Sequence, residues 1–194
     1  MRMNIAALTQ SSWHDQAKRD QLHEFIAEKS VKRGDFQLAS GAKSDIFFDM
    51  KQTLLDPEGL ELAADLLMDI FDQFPKVDAV GGLVIGACPI VDAICQKSIT
   101  WRPLYGFYVR KEKKTTGTEQ LIEGPVKARS NVIVLDDVTT RGGSVLKAIH
   151  AVQEELNCNV VAVITIIDRE EGTKEMLATE DLQLISLFVK SDFE

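Results

Sequence analysis

Cysteine is scarce in this chain, and what there is does not pair up. Cys88, Cys95 and Cys158 make an odd count with no CxxC spacing, which argues against a disulfide framework. Cys88 and Cys95, seven apart in an apolar stretch, read as small hydrophobes of a core. Positive charge is also in deficit: 22 Lys and Arg against 30 Asp and Glu leave a formal charge of −8. A net acidic surface does not attract nucleic acid or an anionic membrane, so neither is expected as a partner, although a local basic patch can still hold a small anion. Long apolar runs are missing too. Ile5–Leu8 is too brief for a signal-peptide core, and Val160–Ile167 has a strand's length, far short of a membrane span. A cytoplasmic location is the expectation. There is no GxxxxGK[ST] P-loop and no GxGxxG with a distant acid.

What remains is an ordinary globular composition: 194 residues, 45% hydrophobic and 27% charged, enough to bury a core without disulfides or metals. Internal repeats, linkers and low-complexity stretches are absent, so residues 1–194 are expected to form a single domain. Residues 12–29 carry Ala17, Leu22, Phe25 and Ile26 at roughly helical spacing. Asp56 as N-cap and Pro57 in the first turn open a second helix with the stripe Leu60, Ala63, Ala64, Leu67, Ile70 and Phe71. Two more helices are expected at 90–97 and 143–156. Apolar strands are expected at 45–50, 77–83, 103–109, 131–135, 160–167 and 182–188, with a polar glycine-containing connection at 31–44. Strands this apolar, alternating with helices, predict an α/β fold: a mostly parallel central sheet flanked by helices.

The chemistry concentrates in VIVLDDVTTRGGS, residues 132–144. In an open parallel sheet, ligands collect beyond the carboxyl ends of strands. Asp136 and Asp137 are expected just after the apolar strand, and Thr139–Ser144 leads into a helix whose free N–H groups suit a phosphate. The hydroxyls of Thr139, Thr140 and Ser144 add donors, and Arg141 adds charge. Carboxylates repel a phosphate at ~5 Å. They make sense where the ligand also carries hydroxyls or a metal, as a ribose 5-phosphate with Mg²⁺ does. The bland alternative is a loop start, a helix N-cap and a turn.

This stretch resembles the ribose-phosphate signature of the type I phosphoribosyltransferases, and matching it leaves the bland alternative little room. The resemblance implies 5-phosphoribosyl 1-diphosphate as substrate with Mg²⁺ as cofactor, the metal held through substrate diphosphate and ribose and by Asp136 and Asp137 through water. Asp136 and Asp137 would lie along the ribose hydroxyls, with Val138, Thr139, Thr140, Arg141, Gly142, Gly143 and Ser144 around the 5-phosphate. A small N-terminal hood and a mobile loop near 111–124 belong to the implied fold.

Three further stretches are similar to orotate phosphoribosyltransferases. FQLASGAKSDIFFDM (Phe36–Met50) implies that Phe47 and Phe48 flank a pyrimidine, with Thr140 also at the base. FYVRKEKKTTGTEQLIEG (Phe107–Gly124) implies Arg110 and Lys111 at the diphosphate and Lys114 as the catalytic loop lysine. IIDREEG (Ile166–Gly172) implies that Arg169 binds the orotate carboxylate, a match for its planar fork. The implied activity is transfer of the phosphoribosyl group to orotate, giving orotidine 5′-monophosphate and diphosphate in pyrimidine biosynthesis. It would run in a homodimer whose loops reach each other's sites.

The chain departs from that pattern in places. Thr116 stands where the loop carries histidine, Ala39 where many members have lysine, and Ile85-Gly86 where a Tyr-Lys pair is usual; none of His14, His23 and His150 is near these motifs. Loss of one charge-assisted contact at Thr116 is expected to cost about 1.5–3 kcal/mol, or about 10–100-fold in rate. Two other readings use the same residues: a transferase for a purine or another pyrimidine, and a non-catalytic ribose-phosphate sensor.

Overall fold

The computed structural model describes residues 15–37, 43–113 and 120–194. Helix α1 spans Gln16–Lys29, opened by Asp15, whose side chain accepts from the Lys18 N–H. Two strands follow, β1 (Val31–Gln37) and β2 (Lys43–Phe48), paired antiparallel from Val31↔Phe48 to Gln37↔Lys43. This pair forms the N-terminal hood. The segment 31–44, expected as a connection, is therefore largely a strand, and the aromatic strand begins at residue 43 rather than 45. Most of the β1 side chains are exposed, so its sequence carries no apolar alternation to reveal it.

Helices α2 (Lys51–Leu54) and α3 (Pro57–Phe71) come next. Asp56 accepts from the N–H groups of Glu58 and Gly59, and Pro57 opens the first turn, as the sequence implies. The remaining order is β3 (Ala79–Leu83), α4 (Cys88–Ser98), β4 (Tyr105–Val109), β5 (Ile122–Glu123), β6 (Asn131–Thr139), α5 (Gly143–Leu156), β7 (Asn159–Asp168), α6 (Thr173–Thr179), β8 (Leu184–Val189) and a 3-10 turn at Lys190–Phe193. The main sheet runs β5-β4-β3-β6-β7-β8, parallel except for the β4–β5 pair.

Side-chain alternation along β6 divides the core. Ile133 and Leu135 join the cluster that holds Leu22, Leu67 and Ile94 of α1, α3 and α4. Val132 and Val134 face the other way, with Val145, Ile149 and Val152 of α5. Helices thus cover both faces, which is why these strands read as near-continuous apolar runs. All three cysteines are free, and Cys158 is buried. No helix among the described residues is long and apolar enough to cross a membrane.

An ionic knot joins the hood to the core. Asp49 meets Lys51 at 2.8 Å and Lys32 at 3.0 Å, and its N–H donates to the Ser30 carbonyl at 2.8 Å. Lys51 and then Lys32 hold the Asp49 carboxyl down at about 2, below its ordinary 3.8. A depressed acid stabilises the fold above its unfolded-state pKa, and that contribution is lost as pH falls through the folded value. Both lysines are half exposed, which weakens the pair. Asp49→Asn is therefore expected to cost about 1–2 kcal/mol at pH 7. Urea unfolding should show that difference shrinking as pH falls from about 4 to about 2.

Candidate active site

The strand order reverses between the parallel neighbours β3 and β6: strands are added outward from β3 to β4 on one side and from β6 to β7 and β8 on the other. A crevice at the carboxyl ends of two such strands is where open α/β sheets bind ligands. The last β3–β6 pair is Gly81↔Val134, while β6 stays bonded to β7 as far as Thr139↔Asp168. Asp136 and Asp137 consequently lie inside β6, not after it as the apolar pattern suggested. They occupy the part of the strand that overhangs β3, so they reach the crevice from a rigid element.

Asp136 is buried. Its Oδ1 accepts from the Asp137 N–H at 3.1 Å, and Asp137 Oδ1 accepts from the Val138 N–H at 2.9 Å. Thr165 donates its hydroxyl to the Asp137 carbonyl at 3.2 Å. Burial, followed by the neighbouring charge of Asp137, pushes the Asp136 carboxyl well up. Burial also raises Asp137, opposed mainly by the Val138 N–H and, more weakly, by the charge of Lys51. Two adjacent carboxyls, one buried and one partly buried, with so little compensation form a place where positive charge or hydroxyl donors are wanted.

The turn after β3 closes one side of this pair. A Cβ on Gly86 would fall 2.4 Å from Asp137 Oδ1 and 3.3 Å from Asp136 Oδ1, so only glycine lets the 84–87 turn lie against both carboxylates. On the other side β6 runs into the phosphate-type loop. Gly142 is left-handed at φ 77° and precedes α5, whose start has no side-chain cap. The first helical backbone bond is Leu146 N–H to the Gly142 carbonyl at 2.8 Å, which leaves the earlier N–H groups for a ligand. The loop is pinned from behind: Arg169 N–H donates to the Thr139 carbonyl at 3.0 Å and the Thr173 hydroxyl to the Thr140 carbonyl at 2.9 Å. Thr139 is buried with its hydroxyl lacking any protein partner, a cost that a bound anion would remove. Arg141, Gly143 and Ser144 are exposed.

Gly142 and Gly143 differ in what a side chain would meet. Gly142→Ala is expected to lower stability by about 1–3 kcal/mol, because its backbone is left-handed and an added Cβ would collide with the Met176 methyl group. A Cβ added to Gly143 would meet nothing within 4 Å, so Gly143→Ala should stay within about 0.5 kcal/mol of the parent in chemical denaturation.

Arg169 follows β7, with 3% of its surface exposed. Its Nε donates to Glu171 Oε1 at 2.8 Å, Nη1 to the Ile46 carbonyl at 3.1 Å and Nη2 to Ser44 Oγ at 2.9 Å. The guanidinium also lies 5.7 Å from the Phe48 ring centroid.

Comparison with known proteins fits this arrangement. Residues 51–186 match the phosphoribosyl transferase domain model. An orotate phosphoribosyltransferase of Rhodopseudomonas palustris is 42% identical over 184 residues, covering 91% of this chain and 96% of the relative. This chain belongs to the orotate phosphoribosyltransferase family. Among solved structures, the Mycobacterium tuberculosis H37Rv orotate phosphoribosyltransferase in complex with Fe(III) dicitrate is 34% identical, with a TM-score of 0.79 over 91% of this chain and 98% of that one. The same enzyme in complex with 5-phospho-α-D-ribosyl 1-diphosphate is 32% identical at a TM-score of 0.76, with the same coverage.

The hood brings together only part of what the sequence suggested. Phe48 is a core side chain, packed edge-on against Phe193 at 5.4 Å. Phe47 is only partly buried and tilts against Phe36 at 5.5 Å. Neighbours on a strand point to opposite faces, so the two rings do not form one clamp. Arg169 is not a free surface fork, since three of its five N–H groups already bond the protein. Arg110 donates from Nε to Glu123 at 2.8 Å, and exposed Lys111 accepts at its carbonyl from Lys147 at 3.2 Å. Lys114 and Thr116 lie outside the described residues, as does Ala39. Of two further neighbours of the acids, Gly86 was marked in the sequence only as a departure from the family pattern, and Lys51 carries no sign of a site role there. Both reach Asp137 only through tertiary packing.

Proposed function

We propose that this protein transfers the phosphoribosyl group of 5-phosphoribosyl 1-diphosphate to orotate, giving orotidine 5′-monophosphate and diphosphate. The observation that carries the reading is the seating of the Asp136–Asp137 pair between the Gly86 turn and the uncapped start of α5. A sugar diol flanked by a phosphate at one end and a diphosphate at the other has that sequence of charges. Thr139–Ser144 takes the 5-phosphate, the turn takes diphosphate through its backbone, and the acids accept from the ribose hydroxyls. The relative solved with the ribosyl diphosphate supports the donor, and the curated relatives' name supports the acceptor.

The protein supplies no nucleophile in this scheme, because an orotate ring nitrogen attacks C1 of the ribose as the diphosphate leaves. Its task is to hold the two reactants in line, exclude water and neutralise the departing charge. Arg110, Lys111 and Lys114 serve the diphosphate, and the edge of Arg169 left by its protein partners serves the orotate carboxylate.

Mg²⁺ fits the Asp136–Asp137 pair, whose mutual charge has little protein compensation. Among the described residues no group of three or more His, Cys, Asp or Glu side chains forms a metal site, so the ion's remaining ligands would be substrate oxygens and water. When bound, it neutralises diphosphate charge. Loss of the Asp pair should then weaken donor binding more in the presence of Mg²⁺ than without it.

The reading takes residues 1–194 as one phosphoribosyltransferase domain, acting in the cytoplasm as a homodimer with Lys114 delivered to the partner's site. Free cysteines fit a reducing compartment. Ile99 and Trp101 after α4, and Tyr105 at the start of β4, are exposed large apolar side chains of the kind a second copy can cover. Sedimentation at micromolar concentration should give a dimer; a monomer with full activity would end the loop-exchange part. The activity itself is tested by mass identification of orotidine 5′-monophosphate after incubation with both substrates and Mg²⁺, and its absence would sink the reading.

A further inference from the structure

Glu171 is held where it is by unusual backbone on either side. Glu170 sits at φ 59° and Gly172 at φ 109°, both in the region that costs an ordinary residue energy. The 168–172 loop is fastened around it. Asp168 Oδ1 accepts from the Glu170 N–H at 2.9 Å, and Glu170 Oε2 accepts from the Ser191 N–H at 3.0 Å. The loop's two ends reach the phosphate loop through Arg169 N–H and the Thr173 hydroxyl. This winding turns Glu171 back onto Arg169, where Oε1 meets Nε at 2.8 Å with the arginine side chain 2% exposed and the glutamate 25% exposed.

Five N–H groups are available on the guanidinium. Glu171 takes the one on Nε, and the hood takes one on each terminal nitrogen through Ile46 and Ser44. Two N–H groups remain, one on each terminal nitrogen. A guanidinium held only by the two hood contacts could pivot about its long side chain. The Nε contact removes that freedom and compensates a buried charge while no substrate is present.

We propose that Glu171 is a positioning residue: it orients Arg169 so that its two remaining N–H groups face an anionic base carboxylate. This rests on the reading of Arg169 as the partner of orotate. Glu171 itself never touches the substrate; it sets the acceptance of an acidic base through the arginine.

The test is steady-state kinetics of the full chain with Mg²⁺, orotate and 5-phosphoribosyl 1-diphosphate. Glu171→Ala should raise the KM for orotate about 10-fold or more while the KM for the ribosyl diphosphate moves less than about 2-fold. Glu171→Gln keeps the accepting oxygen and should bring the orotate KM back to within about 3-fold of the parent. Thermal unfolding of both variants separates this from a folding role; if the alanine variant does not fold, the glutamine variant against Glu171→Met supplies the comparison. Equal changes in both KM values, or none, overturn the proposal, as does a fall in orotate KM, which would make Glu171 a competitor for the arginine. Turnover of a purine but not orotate by the parent protein would sink the reading of Arg169, and the proposal with it.

Discussion

Asp136→Asn is expected to make the unliganded protein more stable and nearly inactive. The fold holds the Asp136 carboxyl well above its ordinary range, through burial and the adjacent Asp137 charge. The sign follows from linkage: below the unfolded-state value both states are protonated, and the aspartate costs nothing. As pH rises, the unfolded chain ionises freely while the folded one resists, so native stability falls relative to the asparagine variant. The gain from Asn should therefore be absent near pH 3 and present at pH 7, read as an increase in the unfolding midpoint without Mg²⁺. Activity moves the other way. Loss of a charged acceptor at the sugar removes charge-assisted hydrogen bonds and a cation partner, about 3–5 kcal/mol together, hence about 10²–10⁴-fold in kcat/KM. An asparagine variant of unchanged activity would remove the acid pair from the chemistry.

Arg169→Ala is expected to be the most selective lesion. Two N–H groups to a carboxylate are worth about 3–4 kcal/mol, so the KM for orotate should rise about 10²–10³-fold. The KM for the ribosyl diphosphate should change far less. Stability also suffers: the change strands Glu171, the Ile46 carbonyl and Ser44 at the hood junction, at a cost of about 3–5 kcal/mol. Kinetics must therefore be read below the variant's unfolding midpoint, with circular dichroism as the check. A variant equally impaired toward both substrates would mean that Arg169 acts through the hood alone.

These two residues differ in how legible they were. The acid pair stands out in the sequence because carboxylates directly after VIVL sit beside a Thr-Arg-Gly-Gly-Ser loop suited to an anion, a pairing that a ribose phosphate explains and a plain turn does not require. Its position inside β6 was not legible, since hydrogen bonding to β7 continues through polar residues that break the apolar pattern. For Arg169 the sequence suggested the partner but hid the burial: Ser44 and Ile46, which hold it, are over 120 residues away. The same holds for Gly86, a turn glycine by sequence, whose reason is the Asp137 carboxylate 51 positions later.

The large elements were easier. Strands β3, β4, β7 and β8 are apolar because helices cover both faces of the sheet, and the Asp56-Pro57 start of α3 follows from cap chemistry. Strand β1 escaped because a solvated hairpin needs no apolar face. Helix α6 is seven residues long, too short to show a period.

The most direct measurement of the central claim is diphosphate release from 5-phosphoribosyl 1-diphosphate and Mg²⁺, with orotate, uracil, adenine, hypoxanthine and guanine offered separately. Orotate alone should support release, at a rate lowered about 10–100-fold by the absent loop histidine relative to a Thr116→His variant. Release with a purine and none with orotate, or no release with any base, would contradict the account.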